Sequence, residues 1–245
     1  MKRWYKIGIG IGLACVAIVA LVVWGPNAAQ RFFYPFAPPM PAGVGEAMPD
    51  ILARLEAALK TNAPSVLAGL QPGLAAGDIA RLEQQYRIQL PDDLRALYAW
   101  HDGARQPTNT AACDFIPIHR FLPLEEALAD RAAFAPNQLP PVQWVAYRFL
   151  AKHREPWLWV FSDGARDGYW FDPTRKPPDG AVFYTFTEDG TFIFFPSFKN
   201  VMAGVTKCYE QEIYRVKPGT APSQLDEDFE KSAKVWTEFG ASNQP

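Results

Sequence analysis

Three kinds of apolar pattern follow one another along the chain. Ile7 to Trp24 is apolar without a break. From Asp50 to Trp100 apolar residues recur at helical spacing. Ile51, Leu52, Leu55, Ala58 and Leu59 mark a first helix capped by Asp50. Ile79, Leu82 and Tyr86 share a face of a second, capped by Asp78. Leu94, Leu97, Tyr98 and Trp100 or His101 line a third, which Asp92 caps just after Pro91. Asn62 to Gly73 reads as a loop, and Ile88-Gln89-Leu90-Pro91 as the break between the second and third helices. Asp102-Gly103 reads as the stop of the third, glycine supplying the left-handed residue.

Beyond residue 114 the pattern shortens. Phe115 to Arg120 predicts a short strand, Pro123 to Phe134 a surface helix, and Trp144 to Leu150 an alternating strand. Trp157–Phe161 and Gly168–Phe171 then predict an aromatic hairpin across Ser162-Asp163-Gly164 and Asp167-Gly168. So much aromatic surface cannot stand alone in water, so the rest of the domain must pack on it. Ala181–Phe186 and Thr191–Phe195 predict a second hairpin across Glu188-Asp189-Gly190. Ser197 caps a last helix running to about Val216, with Val201, Val205, Cys208, Tyr209 and Ile213 on one stripe. The tail from Lys217 is polar, with room for one amphipathic turn. Helices, then strands, then a helix predict an α+β fold with a largely antiparallel sheet and packing helices, spanning residues 50–216.

The first apolar run is an address. Eighteen residues at about 1.5 Å each span roughly 27 Å, close to the hydrocarbon thickness of a bilayer. Lys2, Arg3 and Lys6 precede it, which places residues 1–6 in the cytoplasm and the domain outside. The first reading is a retained single-pass signal-anchor helix at residues 7–24 in the inner membrane, followed by a Pro/Gly linker over 25–49. A cleaved signal peptide and a lipoprotein signal ending at Cys15 are the alternatives. In the exported part only Cys113 and Cys208 remain; in an oxidising compartment they can bridge, closing a loop of about 95 residues, or stay two buried thiols.

Composition excludes more than it assigns. Half of the 245 residues are hydrophobic (49%) and 14% aromatic, enough for a core; 23 prolines predict short elements and ordered loops. Net charge is −2. Without Lys2, Arg3, Lys6 and Arg31, 20 of the 24 basic groups face 26 acidic ones, a balance near −6 that gives no support to nucleic-acid binding. No nucleophile elbow, zinc-helix motif, phosphate loop or dinucleotide fingerprint is present. His101, His119 and His153 lie in separate elements and do not suggest a metal site. His101-Asp102 reads as helix-end chemistry. Asp163, Asp167 and Asp172 do not match a calcium loop and read as turn formers.

Three segments and their order carry a resemblance. Ile79-x-x-Leu82-Glu83 leads to Leu90-Pro91-Asp92-Asp93-Leu94-Arg95-x-Leu97-Tyr98 and Asp102-Gly103. Trp157, Phe161, Asp163, Asp167-Gly168 and Phe171-Asp172 follow, then Phe192–Phe195 and a helix opening at Phe198. Over about Asp50 to Tyr214 the chain resembles the SMI1/KNR4, or SUKH, superfamily. The resemblance implies protein binding without a catalytic mechanism or cofactor. Many bacterial members are similar to immunity proteins that neutralise a cognate toxin; a fungal branch is tied to cell-wall synthesis and signalling. The membrane segment sets this chain apart and points to an antidote or scaffold acting outside the cytoplasm.

The binding reading also draws on the residues themselves. Arg148, Arg154 and Arg166 flank the hairpin with Asp163 and Asp167, and Tyr169 and Trp170 alternate, so one of the two should face away from the core. Exposed aromatics beside charges are the usual make-up of a binding hot spot. The candidate partner site is therefore Arg148, Arg154, Asp163, Arg166, Asp167, Tyr169 and Trp170. The competing class is an envelope enzyme or a carbohydrate- or ligand-binding protein using the acidic turn residues; Asp163, Asp172, Glu188 and Asp189 would supply its carboxylates.

Overall fold

The computed structural model describes residues 44–105, 114–133, 157–164, 167–171, 182–186, 191–220, 224–240 and 242–244. The elements in order are α1 (Met48–Asn62), α2 (Pro64–Gly69), β1 (Leu70–Pro72), α3 (Ala76–Tyr86), α4 (Asp92–Trp100) and β2 (His101–Ala104). Then come β3 (Arg120–Phe121), α5 (Leu124–Ala133), β4 (Leu158–Ser162), β5 (Gly168–Phe171), β6 (Val182–Phe186) and β7 (Thr191–Phe195). The chain continues through α6 (Phe198–Glu210), β8 (Tyr214–Val216), β9 (Leu225–Glu227), α7 (Phe229–Glu238) and β10 (Ser242–Gln244). The class is α+β, as the pattern predicts. A six-stranded antiparallel sheet runs β10-β7-β6-β5-β4-β3, beside two-stranded pairs β1-β2 and β8-β9.

Both expected hairpins form. Tyr169 pairs Phe161 on one side and Tyr184 on the other, and an irregularity in register falls between Trp159 and Phe161. Helices cover one face of the sheet. Phe198 of α6 stacks on Phe161 at 5.9 Å, and Trp236 of α7 meets Tyr169 at 6.1 Å and Phe195 at 5.7 Å. A Cβ at Gly204 would lie 2.6 Å from the Trp236 ring, so α6 and α7 approach this closely only because residue 204 is glycine. Helix α1 lies against α6, tied by Arg54 to Glu210 (2.7 Å) and by Asn62 Nδ2–H to the Tyr209 carbonyl (2.8 Å). An aromatic core fills the middle. Phe115 lies parallel to Phe161 at 5.4 Å, Phe121 at 5.2 Å from the same ring, and buried Tyr98 at 5.4 Å from Phe121.

The break between the second and third helices is a polar staple. The Glu83 carboxylate accepts the Leu90 N–H at 2.7 Å and the Arg95 guanidinium at 2.9 Å. It thereby fixes the turn that Pro91 forces between α3 and α4.

Several expectations are corrected. Helices α1, α3 and α4 start before or at the acids expected to cap them. Asp50, Asp78 and Asp92 lie in the first turn, after N-caps Ala47, Ala75 and Pro91, where they favour the helix dipole without capping. Helix α1 thus opens inside the stretch read as linker, Pro49 being tolerated where N–H groups lack helical partners anyway. The loop expected over Asn62 to Gly73 holds α2 and β1. Asp102-Gly103 does not stop α4: His101 takes φ −147° and the chain runs straight into β2. Asp102 instead accepts the Leu124 N–H at 2.8 Å and so caps α5 from 22 residues away. Gly103 sits at φ 72°, where a Cβ would come 2.3 Å from the Pro123 nitrogen.

The strand expected over Phe115 to Arg120 shrinks to Arg120–Phe121, because residues 116–119 close a turn. Helix α5 is less superficial than expected: Leu124, Ala127 and Leu128 are fully buried. Helix α6 stops at Glu210 rather than Val216. Glu212 takes φ 50°, and the Ile213 N–H bonds back to the Cys208 carbonyl at 2.8 Å, a Schellman-type end. The stretch read as a polar tail supplies β9, α7 and β10, and β10 forms an edge of the large sheet. Ser197 caps α6 as expected, accepting the Asn200 N–H. Trp144 to Leu150, the Glu188-Asp189-Gly190 turn and the segment 7–24 lie outside the described residues. Among the described residues no helix is long and apolar enough to cross a membrane.

Candidate partner-binding site

Strand β4 ends at Ser162 and β5 begins at Gly168, so the hairpin turn projects from one end of the sheet. Strand β3 pairs Arg120 with Ser162 and so enters the sheet at that same end, which brings residues 116–119 beside the turn. The turn is held from within. Ser162 Oγ accepts the Gly164 N–H (3.1 Å), Asp163 Oδ1 accepts the Asp167 N–H (2.9 Å), and the Asp163 N–H donates to the Asp167 carbonyl (3.1 Å). The first two are side-chain-to-backbone bonds that form turns and the third is backbone to backbone; Asp163 forms the turn as expected, while Asp167 takes part through its main chain. Gly168 has a packing reason: a Cβ there would lie 2.1 Å from the Phe161 carbonyl oxygen.

The alternation at residues 169–170 sends the two aromatics to opposite faces. Tyr169 is buried on the helix-covered face, among Phe161, Tyr184, Phe195, Trp236 and His119. Burial pushes its phenol well above the ordinary range. Tyr169 is therefore removed from any surface a partner can touch. Trp170 is half-buried on the other face. It meets Trp159 edge-on at 4.4 Å and Trp157, also half-buried, at 5.7 Å. Asp163 is half-exposed and Asp167 is buried. Of the seven expected residues, Asp163 and Trp170 thus retain accessible surface; Arg148, Arg154 and Arg166 lie outside the described residues.

His119, for which the sequence suggested no metal site, is buried at the base of the 116–119 turn. Its ring faces Tyr169 and Tyr184 at 5.6 and 5.4 Å, and its Nδ1–H donates to the Pro117 carbonyl at 2.7 Å. Burial lowers its pKa, against the Pro117 bond and the nearby Asp163 and Asp167 charges. His101 likewise does structural work. Its Nδ1–H donates to the Gln71 carbonyl at 2.7 Å, while Trp100 Nε1–H donates to Glu56 at 2.8 Å. Cys208 is a buried free thiol, pushed up to about 12 by burial; Cys113 lies outside the described residues. Among the described residues no group of three or more His, Cys, Asp or Glu side chains is placed to hold a metal ion.

The sequence reading missed Trp157 and Ile118. Trp157 was visible as part of the aromatic run; its accessibility was not. Ile118 is 60% exposed and sits at φ 62°. Proline at 117 was the one local hint of a turn there.

An antiparallel sheet with helices on one face and an aromatic patch on the other defines an α+β domain. Residues 73–204 match the SMI1 / KNR4 family (SUKH-1), more than half of the chain, and the chain belongs to that family. No curated protein matches it.

Proposed function

We propose that this chain is a protein-binding module that acts as an immunity protein against a cognate toxin domain, held at the outer face of the inner membrane by residues 7–24. Domains of this family are commonly immunity proteins. One observation carries the choice of surface: Trp157 and Trp170 lie half-buried together on the sheet face opposite Tyr169, beside the Asp163 turn. Half-buried tryptophans on or beside a strand can be desolvated by a partner at little entropic cost. The rival carbohydrate or enzyme reading gains little from Asp163, whose Oδ1 is engaged in holding the turn.

The test is isothermal titration of the full chain with the purified product of the neighbouring reading frame. Trp170→Ala is expected to weaken binding at least tenfold, about 1.4 kcal/mol. Unchanged affinity in a folded variant removes this surface. The tether is tested separately: deleting residues 7–24 should move the protein from the membrane to the soluble fraction, and persistence in the membrane would refute the anchor.

A further inference from the structure

Ile116-Pro117-Ile118-His119 is a tight turn with an unusual residue at its most demanding position. The His119 N–H donates to the Ile116 carbonyl at 2.7 Å, proline occupies the second position, and Ile118, the third, has φ 62°. This is the pattern of a type II turn, whose third residue is ordinarily glycine or asparagine. A β-branched side chain at positive φ is a conformational outlier. Gly103, at φ 72°, shows the ordinary solution elsewhere in the same chain.

The surroundings hold the turn in place. Phe115 and Ile116 both donate to the His119 carbonyl, at 2.9 and 3.2 Å, and Tyr209 Oη donates to the Phe115 carbonyl at 2.8 Å. Asp114 accepts the Leu225 N–H at 3.2 Å and also the Ile118 N–H. His119 plugs the base of the turn into the Tyr169–Tyr184 pocket. All this bracing presents an aliphatic side chain that is 60% exposed. The backbone does not need that side chain: glycine would adopt the same φ without strain. Strain that the fold maintains at a largely exposed side chain points to use at a surface.

We infer that Ile118 is a preset apolar anchor that inserts into a pocket on the partner protein, extending the binding surface from the tryptophan face around the end of the sheet. This rests on the protein-binding reading above. The tip is convex, so it cannot enclose a small ligand, which needs a concavity. Carboxylates lie near the turn: Asp114 accepts the Ile118 N–H, with Lys217 beside it, and the Asp163 and Asp167 charges lie by His119. The pocket it fits is apolar at its base and basic or rich in N–H donors at its rim.

The test places a photoreactive amino acid at residue 118, and as a control at exposed Lys60 on α1, in the full chain in its own cells. The protein captured is identified, purified and titrated against the parent, Ile118→Gly and Trp170→Ala. The inference expects capture from 118 and not from 60. It also expects Ile118→Gly to raise Kd at least tenfold while its Tm equals or exceeds the parent's. No capture from 118, capture of lipid or of a second copy of this chain, or an unchanged Kd would overturn it. A partner that loses affinity with Trp170→Ala but not with Ile118→Gly overturns the anchor and leaves the proposed function standing. A partner indifferent to both overturns both.

Discussion

Two residues at positive φ make opposite use of it. At Gly103 the fold leaves no choice: the residue lies at φ 72°, against the backbone of Leu122 and Pro123, and Asp102 beside it caps α5. At Ile118 a similar φ carries a branched side chain that is 60% exposed. The α3–α4 staple belongs with the first kind: Glu83 directs both its oxygens to the Arg95 guanidinium and also accepts the Leu90 N–H. One region turns its groups inward to hold the fold, while the end of the sheet displays them. Substitutions in the first should therefore cost stability, and those in the second should cost recognition.

The largest effect is expected at Gly103. Gly103→Ala adds both a steric clash with the Pro123 backbone and a strained φ, and should cost about 3 kcal/mol or more in urea unfolding. A loss below about 1 kcal/mol would mean that β2 and α5 can separate freely. Next, Glu83→Ala should cost about 2 kcal/mol, because it leaves the Leu90 N–H and Arg95 without their acceptor. Arg95 is partly exposed, so water replaces part of that loss.

A third, smaller effect is pH-dependent. The folded state lowers the His119 pKa, so the folded protein binds the proton less well than the unfolded chain. Stability from this group is complete above the unfolded value, about 6.5, and falls as pH drops below it towards the folded value. Asp102, Asp114 and Glu227, raised by burial, act in the opposite sense at lower pH, so the comparison must be differential. Between pH 7 and 5 the parent should lose stability relative to His119→Gln. Parallel pH profiles would show that the His119 pocket admits the charged form. The smallest effect is Ile118→Gly, expected to stabilise by about 1 kcal/mol through relief of the left-handed strain.

How legible these regions were follows from how local their causes are. The two hairpins and α4 were readable because period-2 aromatics and helical spacing are local signals. The stretch from Lys217 was not. Strands β9, Leu-Asp-Glu, and β10, Ser-Asn-Gln, are three residues each and join their neighbours through backbone pairing, which leaves no hydrophobic period. Asp102-Gly103 was misassigned because its cap acts on Leu124, 22 residues on, while its position after a helix imitates a stop signal. The candidate site was half legible. Alternation showed that Tyr169 and Trp170 must part, but both faces of β4 and β5 are aromatic, so pattern alone could not say which was covered. Ile118 was invisible, since the residue that would announce positive φ, glycine or asparagine, is not there.

The central claim is that the β3–β5 end of the sheet, with its tryptophan face, is where another protein docks. Hydrogen–deuterium exchange of the full chain, alone and with the purified product of the neighbouring reading frame, tests it most directly. The account predicts slower exchange confined to residues 114–121 and 157–171 on complex formation. Protection confined to α1, α3 or α7, with those two segments unchanged, would contradict it.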